Sequence, residues 1–557
     1  MKFFFPPNTA TAAAERLSGL KKSKRYSPHG KKLKRRNKPL TSHPSLVLIN
    51  ANIITMDLSH PTAEAVAIHQ DQIIDVGNSR DISKLAGSET ILIDLHGRTV
   101  LPGFIDCHCH LIEFGLSLKS LDVRGTQTIR ELKKRLQARG RELNGWITGR
   151  GWDQEKFAEA RYPNRYDLDD AVKHKPVFLR RICGHIAVAN TAALRSAGIN
   201  SRTPDPPGGK IDHDTAGRTT GILRETAMDL VEEKIPQPTL SEYKAASLVA
   251  FEKALAVGLT TVHCIISSKN ELSALQELEK EDKLPIRIHV LIPIHKLKFA
   301  SQLGIRTGLG NDWLRIGAMK IFTDGSLGAR TAALSAPYSD DPLNRGILTY
   351  KQEELEKLIE GAHTAGFQVA AHAIGDEATR VVLRCYRKLR NREKMRHRIE
   401  HASVLSPNLI RCISKLNLIV SVQPSFIRSD TWIESRLGSR RSRYANALRT
   451  LKQRNVMTVA GSDCPVEPLS PLIGICAAVD RSGAQSLTVD DAISLYTRNA
   501  AYVTFEEHAK GSVEVGKFAD LVVLGNDPRE VPASNISRIR VLMTIVGGKI
   551  SYDSLES

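Results

Sequence analysis

The sequence predicts an α/β protein whose largest part is a (β/α)8 TIM barrel, and three observations lead to that fold class. The chain has 557 residues, too many for one core of ordinary size, so a large domain with an appended or inserted one is expected. Its 41% apolar and 25% charged residues are ordinary for a globular enzyme. Between two β-rich ends, apolar β-like runs alternate with amphipathic helix-like segments, which indicates a parallel sheet covered on both faces.

Short strand-like runs separated by turn residues stand near both ends of the chain. They cover residues 46–56, 65–76, 90–101, 517–524 and 540–553. Gly547-Gly548 marks a tight turn within the last run. We therefore expect residues 44–100 and 507–557 to pair into one small β domain.

Eight β-like runs supply the predicted barrel strands, at 99–108, 259–266, 285–291, 315–322, 368–372, 398–401, 418–423 and 456–463. Closed on themselves, these units make a barrel over residues 101–506. An open doubly wound sheet is the alternative, but no glycine-rich phosphate loop follows the first run. The gap after the first run is too long for one helix. Residues 122–240 are therefore expected to form a large insertion over one end of the barrel.

The net charge of +19 comes mainly from residues 1–43, which hold twelve Lys and Arg against Glu15. A nuclear address, a tether to RNA or a membrane surface, and a transit peptide are possible functions for such a tail. We favour a solvated, disordered extension. No stretch has the length of a secretory signal core or a membrane span, and the eight cysteines are scattered. A cytoplasmic protein without a membrane partner is expected.

Residues 101–110, LPGFIDCHCH, carry the strongest local signal. Side chains alternate along a strand, so His108 and His110 point the same way and can bind one metal ion, and Asp106 points that way too. A pair of histidines alone can be structural. Here, however, the pair closes an apolar strand, where barrel enzymes keep their active sites.

Later runs also end in metal-binding residue types: His372 in VAAHAIGD, His401 in RIEH and Asp463 in VAGSDCP. Any one of these histidines could be an ordinary core or surface residue, but the set points to a metal site. Lys320 lies in residues 318–325, AMKIFTDG, near the end of a buried run. Such a lysine is often an ion-paired or snorkelling residue, and an ammonium cannot bind a cation. Reaction with CO2 would turn it into a carbamate whose two oxygens could bridge two metal ions.

The order of these residues along the chain resembles that in the amidohydrolase superfamily. The sequence around them is similar to the YtcJ-like branch of that superfamily, amidohydrolase family 3. The resemblance extends from about residue 45 to 553. It is carried by LPGFIDCHCH, GHIAVANTAAL at 184–194, GGKIDHDTAGRTTGILRE at 208–225, KIFTDGSLGARTAAL at 320–334, HAIGDEA at 372–378, RIEHASVLSP at 398–407, GSDCPVEPLSPL at 461–472 and GSVEVGKFADLVVLGNDP at 511–528.

The resemblance implies a barrel with a small composite β-sandwich made from both chain ends. It also implies a site with one or two divalent ions, zinc first, with manganese or iron as alternatives. His108 and His110 would bind one ion and His372 and His401 the second, with a carboxylated Lys320 bridging them. Asp463 would contact the metal and act as general base. Cysteines flank His108 where the family more often has Ser or small apolar residues, which leaves the metal's identity open.

Further residues are predicted to line the mouth of the site and contact substrate: His185, Trp152, Asn190, Asp324 and Ser326. Ordinary packing or loop hydrogen bonding is the alternative for each of them, and His185 is our first candidate for a substrate contact. Arg481 is interpreted as structural.

The predicted function is metal-dependent hydrolysis of a non-peptide C–N bond in a small amide, formamide or cyclic amide. One alternative is a catalytically silent relative with a regulatory or binding role. The complete ligand set argues against it. A second alternative is a nucleic-acid-associated protein, but no groove motif or aromatic-interleaved basic patch supports a specific nucleic-acid partner. A homodimer is possible for barrels of this type.

Overall fold

The computed structural model describes residues 43–118, 120–142, 145–481 and 483–555. The predicted basic tail, 1–43, lies outside this part of the chain except for His43. In chain order the strands are β1 (Leu46–Ile49), β2 (Asn52–Ile54), β3 (Thr62–Ala63), β4 (Ala65–His69), β5 (Gln72–Gly77), β6 (Ile91–Asp94), β7 (Thr99–Pro102), β8 (Phe104–Cys109), β9 (Leu121–Asp122), β10 (Ile147–Trp152), β11 (Val177–Arg181), β12 (Ile186–Ala189), β13 (Gly209–His213), β14 (Thr219–Glu225), β15 (Leu259–Ile265), β16 (Arg287–Pro293), β17 (Leu314–Phe322), β18 (Gln368–Ala373), β19 (Arg398–His401), β20 (Ile419–Val422), β21 (Thr458–Ala460), β22 (Leu521–Leu524), β23 (Val541–Val546) and β24 (Lys549–Asp553). The α-helices are α1 (Ser79–Ile82), α2 (Leu111–Ser117), α3 (Ile129–Glu142), α4 (Arg165–Ala171), α5 (Thr191–Ser196), α6 (Asp229–Glu232), α7 (Leu240–Leu255), α8 (Lys269–Lys280), α9 (Leu297–Gln302), α10 (Gln352–Thr364), α11 (Asp376–Lys388), α12 (Pro407–Lys415), α13 (Phe426–Ser429), α14 (Ile433–Ser442), α15 (Leu448–Gln453), α16 (Pro471–Val479), α17 (Val489–Leu495) and α18 (Arg498–Val503).

The central sheet is a barrel of eight parallel strands, which confirms the predicted fold class. The strands follow one another in the order β8, β15, β16, β17, β18, β19, β20 and β21. Just beyond the end of β21, two backbone hydrogen bonds bring the last strand to the first. They run from Asp463 N to His108 O (2.7 Å) and from His110 N to Cys464 O (2.8 Å). Helices pack around the outside, so the strands are buried on both faces.

The first predicted barrel strand, 99–108, is two strands that belong to different sheets. β7 pairs with β22, whereas β8 pairs with β15. The backbone changes partner at Gly103, whose N–H donates to Asp520 O. A side chain at Gly103 would place its Cβ 2.2 Å from Thr260 Cγ2, so the close approach requires glycine. The sequence pattern hides this break because both strands are apolar and buried.

Helix α7 shows how the sequence sets the outer layer of the barrel. Its N-cap, Thr239, and Glu242 form a reciprocal capping box that satisfies two N–H groups of the first turn. Tyr243, Ala250 and Phe251 lie on its buried face, among the residues of the barrel core. Gly258, at φ +83°, follows the helix and turns the chain into β15.

The two chain ends form one β-sandwich, which confirms the predicted composite domain. One sheet has the order β5-β4-β1-β6, and the other has the order β24-β23-β22-β7-β2-β3. β22, from the end of the chain, pairs antiparallel with β7, from its start. The predicted turn at Gly547-Gly548 is present, with φ of +54° and +72°. The exact domain bounds remain predictions.

A third body of structure lies between β8 and β15, as the predicted insertion requires. Its sheet has the order β13-β14-β12-β11-β10-β9. One apolar cluster includes Leu132, Trp152 and Leu179, and a second includes Phe178, Leu194 and Leu223. Leu179 and Phe178 are neighbours on β11, so the two clusters lie on opposite faces of the sheet. Within the described chain, no helix combines the length and apolar character needed to cross a membrane.

Candidate metal centre

His108 and His110 stand at the carboxyl end of β8, where the strand meets the inner mouth of the barrel. His108 Nε2 lies 3.3 Å from Asp463 Oδ1, and His110 Nε2 lies 3.5 Å from the same oxygen. The three ligand atoms lie within 4.8 Å of one another. Burial lowers the pKa of His110 to about 4, so its imidazole is neutral and able to donate a lone pair.

Asp463 follows β21, at the junction between the last strand and the first. Its backbone has φ +57°, an uncommon conformation for a residue with a side chain. Burial opposes ionisation, but His108, His110 and Lys320 together lower the pKa of Asp463 to about 2. The carboxylate is therefore ionised at neutral pH and faces both histidines.

His372 and His401 complete an arc of imidazole rings across the barrel mouth. The His401 ring centroid lies 4.7 Å from that of His108 and 4.5 Å from that of His372. Burial and neighbouring histidines lower the pKa of His401, and burial lowers that of His372. His372 Nε2 lies 3.2 Å from Gly325 O and 3.4 Å from Asp324 Oδ1. The Nδ1 atom of His401 is buried and has no hydrogen-bond partner among the described residues.

Lys320 lies near the carboxyl end of β17, inside the same arc. Its side chain is 1% exposed, and Nζ lies 3.3 Å from His108 Nε2. Burial lowers the pKa of Lys320 to about 8, although Glu400 and Asp463 act in the opposite direction. The neutral amine, which is the form that can react with CO2, is therefore more populated than at an exposed lysine.

The side chains of this cluster fit a divalent cation. Neutral imidazole nitrogens and a carboxylate oxygen are ligands that suit Zn²⁺ and other first-row metal ions. The unpartnered Nδ1 of His401 is an independent sign, because a buried polar atom without a partner is costly unless an ion or water satisfies it. The position at the carboxyl ends of the strands is the usual one for a barrel active site.

Sequence reasoning missed Glu400 and Arg398, which lie directly behind the histidines. His108 Nδ1 lies 2.5 Å from Glu400 Oε2, and Arg398 Nε donates to Glu400 Oε1 at 2.6 Å. Their side chains are 0–1% exposed. Burial opposes its ionisation, but Arg398 and His108 hold the pKa of Glu400 well below its usual range. The sequence RIEH places two charged residues at alternating positions of a short buried strand. That pattern could have indicated a buried ion pair next to the histidines.

A cavity of about 720 Å³, open to solvent, adjoins the cluster, and the insertion supplies part of its wall. His372, His401 and Asp463 line it from the barrel, and His185 lines it from the insertion. His185 Nδ1 lies 2.8 Å from Glu225 Oε2. Burial opposes protonation, but Glu225 raises the pKa of His185 to about 9. Ser326 also lines the cavity, and its contact with substrate stays a prediction.

Two other residues that were predicted to contact substrate, Trp152 and Asp324, are not among the residues that line this cavity. Trp152 is fully buried in the insertion core, where its Nε1 donates to Leu179 O at 2.7 Å. Asp324 accepts hydrogen bonds from the backbone N–H groups of Ala333, Ile374 and Gly375, so it fixes the loops beside His372. The motifs around these residues do not show which face a side chain takes.

Asn190 and Arg481 have structural contacts. Asn190 caps α5 by accepting from Ala193 N, and its amide also bonds to the backbone of neighbouring segments. Arg481 donates to the carbonyl oxygens of Asn446 and Ala445, which agrees with its structural interpretation.

Comparisons with known proteins agree with this geometry. A model of the amidohydrolase family matches residues 92–552. The putative amidohydrolase YtcJ of Bacillus subtilis is 34% identical over 90% of this chain and 98% of its own length. The N-substituted formamide deformylase of Arthrobacter pascens is 28% identical over 92% of this chain and 99% of its own length. An uncharacterized metal-dependent hydrolase from Pyrococcus horikoshii superposes with a TM-score of 0.73 at 34% identity, covering 88% of this chain and 99% of that one.

The family model spans the barrel, the insertion and the strands that the end of the chain adds to the β-sandwich, and these relatives cover about nine tenths of the chain. The matches therefore concern the whole arrangement and not an isolated motif. A family model that covers most of the chain, together with a relative 34% identical over nearly its full length, places the protein: the chain belongs to the amidohydrolase family, in its YtcJ-like branch.

Proposed function

We propose that the protein is a metal-dependent hydrolase that cleaves a non-peptide C–N bond in an N-substituted amide, formamide or cyclic amide. The observation that carries the proposal is the convergence of His108, His110 and Asp463 beside His372 and His401 at one cavity. Family membership and the similar metal-dependent hydrolase support hydrolysis as the reaction class. The formamide deformylase among the relatives supports the choice of bond.

The proposed metal site uses six side chains. His108, His110, His372, His401 and Asp463 would hold one or two divalent ions, zinc first, and Lys320 would contribute as a carbamate formed with CO2. A bound ion of this kind supplies an activated water and polarises the substrate carbonyl. The low pKa values of His110, His372 and His401 favour neutral rings that do not compete with the ion for a proton.

Asp463 is the proposed general base. Its carboxylate faces both His108 and His110 and lines the cavity. It would take the proton released when water attacks the carbonyl carbon and return it to the departing nitrogen. The return step matters because an amide nitrogen leaves poorly without a proton. His185 and Ser326, on the cavity wall, are the proposed substrate contacts.

The experiment that tests the proposal is the metal-to-protein ratio of enzyme purified without chelator. We expect one or two equivalents of zinc, manganese or iron, reduced in His108→Ala and unchanged in His60→Ala, whose side chain is 85% exposed. The metal-loaded protein is then assayed against N-substituted formamides, linear amides and cyclic amides, and we expect turnover of at least one class.

A ratio near zero that persists after reconstitution with metal and bicarbonate would overturn the proposed site. Metal binding without turnover of any amide class would overturn the proposed reaction. In either case the catalytically silent relative becomes the better interpretation of this chain.

A further inference from the structure

A buried ion pair lies under the metal cluster, inside the barrel. Arg398 and Glu400 alternate with Ile399 on β19, so both side chains point towards the barrel axis. Their side chains are 1% and 0% exposed. Burying two charged groups costs folding free energy unless the groups are paired and fully hydrogen-bonded. The hydrogen bonds of Arg398 and Glu400 therefore indicate the role of the pair.

Arg398 uses its guanidinium to clamp Glu400. Nε donates to Glu400 Oε1 at 2.6 Å, and Nη2 donates to Glu400 Oε2 at 2.9 Å. Nη2 also donates to Cys107 O at 2.6 Å, on the strand that carries His108. The carboxylate is therefore held in one orientation relative to β8, and its Oε2 atom lies 2.5 Å from His108 Nδ1.

We propose that Arg398 and Glu400 are positioning residues that fix the ring orientation and tautomer of His108 for metal binding. The inference rests on the proposed function, because it takes His108 as a metal ligand. An ionised carboxylate accepts but cannot donate, so it keeps the His108 proton on Nδ1. The lone pair of Nε2 then faces Asp463 Oδ1, 3.3 Å away, on the side where the ion would bind.

Arg398 has a separate part in this arrangement. Its charge balances that of Glu400, so the pair presents His108 with an acceptor while adding no net charge beneath the ion. The fork geometry is specific to arginine, because a lysine ammonium donates from one point and cannot engage both carboxylate oxygens in the same way. Nη1 lies 3.2 Å from His263 Nδ1, which anchors the guanidinium on its far side.

A second buried histidine–carboxylate pair in the barrel, His289 and Glu506, serves as a control whose role is confined to stability. His289 Nε2 lies 2.7 Å from Glu506 Oε2, and their side chains are 4% and 3% exposed. Lys510 and Arg315 neutralise Glu506 much as Arg398 neutralises Glu400. His289 is not part of the metal cluster. Removing either carboxylate should therefore destabilise the fold, but only one of them should change metal affinity.

The test measures the affinity of the intact, metal-free protein for Zn²⁺ by competition with a chromogenic chelator, and the visible absorption spectrum of bound Co²⁺. In Glu400→Gln we expect the Zn²⁺ dissociation constant to rise by about 10- to 100-fold and the Co²⁺ spectrum to shift. In Glu506→Gln we expect wild-type affinity and spectrum. Arg398→Lys, which keeps the charge but loses the fork, should weaken binding less than Glu400→Gln.

The results distinguish failure of the positioning role from failure of the proposed function. If wild-type protein binds Zn²⁺ and Glu400→Gln binds it equally well with the same Co²⁺ spectrum, the positioning role is overturned. Equal weakening in Glu400→Gln and Glu506→Gln also overturns it, because a general loss of structure then explains both. If wild-type protein binds no metal, the proposed function itself fails. Should Glu400→Gln not fold, Arg398→Lys is decisive, and wild-type affinity in that variant contradicts the inference.

Discussion

His401 and Asp463 share a backbone conformation that is uncommon for residues with a side chain. Their φ angles are +69° and +57°. For residues with a side chain this conformation costs about 1–3 kcal/mol and persists only where the surroundings enforce it. At His401 the turn breaks strand alternation, so Glu400 and His401, although consecutive, both reach the His108 ring. At Asp463 the backbone N–H bond to His108 O holds the turn in place.

At this scale the proposed role of Asp463 can be tested directly. Asp463→Asn removes the base but leaves a side-chain oxygen of similar shape. We expect the metal content to stay near wild type and kcat to fall by about 100- to 10,000-fold, the usual contribution of a general base. Elemental analysis and steady-state kinetics on the same preparation check both expectations.

The control is Asp94→Asn, which changes an exposed carboxylate in the β-sandwich and should leave both quantities unchanged. Wild-type turnover in Asp463→Asn would contradict the assignment of the base.

Strand ends were predictable from the sequence, whereas contacts between strands were not. Apolar runs that end in His108, His372 and His401 indicate ligands because the period of a strand and its end are visible in the sequence. The position of Asp463 just after β21 could be predicted in the same way. Trp152 shows the limit, because a local motif does not reveal which face of the insertion sheet a side chain occupies.

Gly461 shows the same limit at the place where β21 meets β8. A Cβ there would lie 2.4 Å from His108 N and 2.7 Å from Asp106 Oδ1. The need for glycine at this position arises from contact between two strands more than three hundred residues apart in the chain. It therefore cannot be predicted from either sequence segment alone. The glycine allows the last strand to approach the strand that carries two of the proposed ligands.

The close approach makes Gly461→Ala a test of how the barrel junction supports the site. We expect the free energy of unfolding to fall by about 1–3 kcal/mol, because backbone atoms must move to accept the methyl group. Metal stoichiometry should fall with it, since His108 moves with β8. Chemical denaturation and elemental analysis measure the two effects.

Gly525→Ala is the matched control. A Cβ at Gly525 would meet its nearest neighbours at 3.8 Å, an ordinary contact distance. If Gly461→Ala matched Gly525→Ala in stability and metal stoichiometry, the junction between β21 and β8 would not depend on this close approach.

The barrel and the β-sandwich are joined by a buried ion pair. Arg287, on β16, donates from Nε to Asp520 Oδ2 at 2.7 Å and from Nη2 to Asp520 Oδ1 at 3.1 Å. Asp520 also accepts from Gly547 N, in the turn between β23 and β24. The guanidinium stacks on Phe518, 3.9 Å from the ring centroid. One carboxylate therefore ties a barrel strand to two strands of the sandwich.

Asp520→Ala should consequently destabilise the whole molecule. The change leaves the Arg287 guanidinium buried without a counter-charge, and we expect a loss of about 3–5 kcal/mol in the free energy of unfolding. The measurement is chemical denaturation followed by circular dichroism. Lys84→Ala, which breaks a pair whose side chains are both 64% exposed, should leave the denaturation midpoint unchanged. Equal midpoints for the two variants would show that the junction is not held by this pair.

The pairing of β7 with β22 also has a consequence for the order of synthesis. More than four hundred residues separate the two strands, so the ribosome releases β7 long before its neighbour exists. At about 5–20 residues per second, the wait is roughly 20–80 s, during which one edge of β7 has no strand beside it. Unpaired apolar edges invite association with other chains, so the nascent protein needs protection until its last strands emerge. Within residues 43–555, the sandwich is therefore the first structure begun and the last completed.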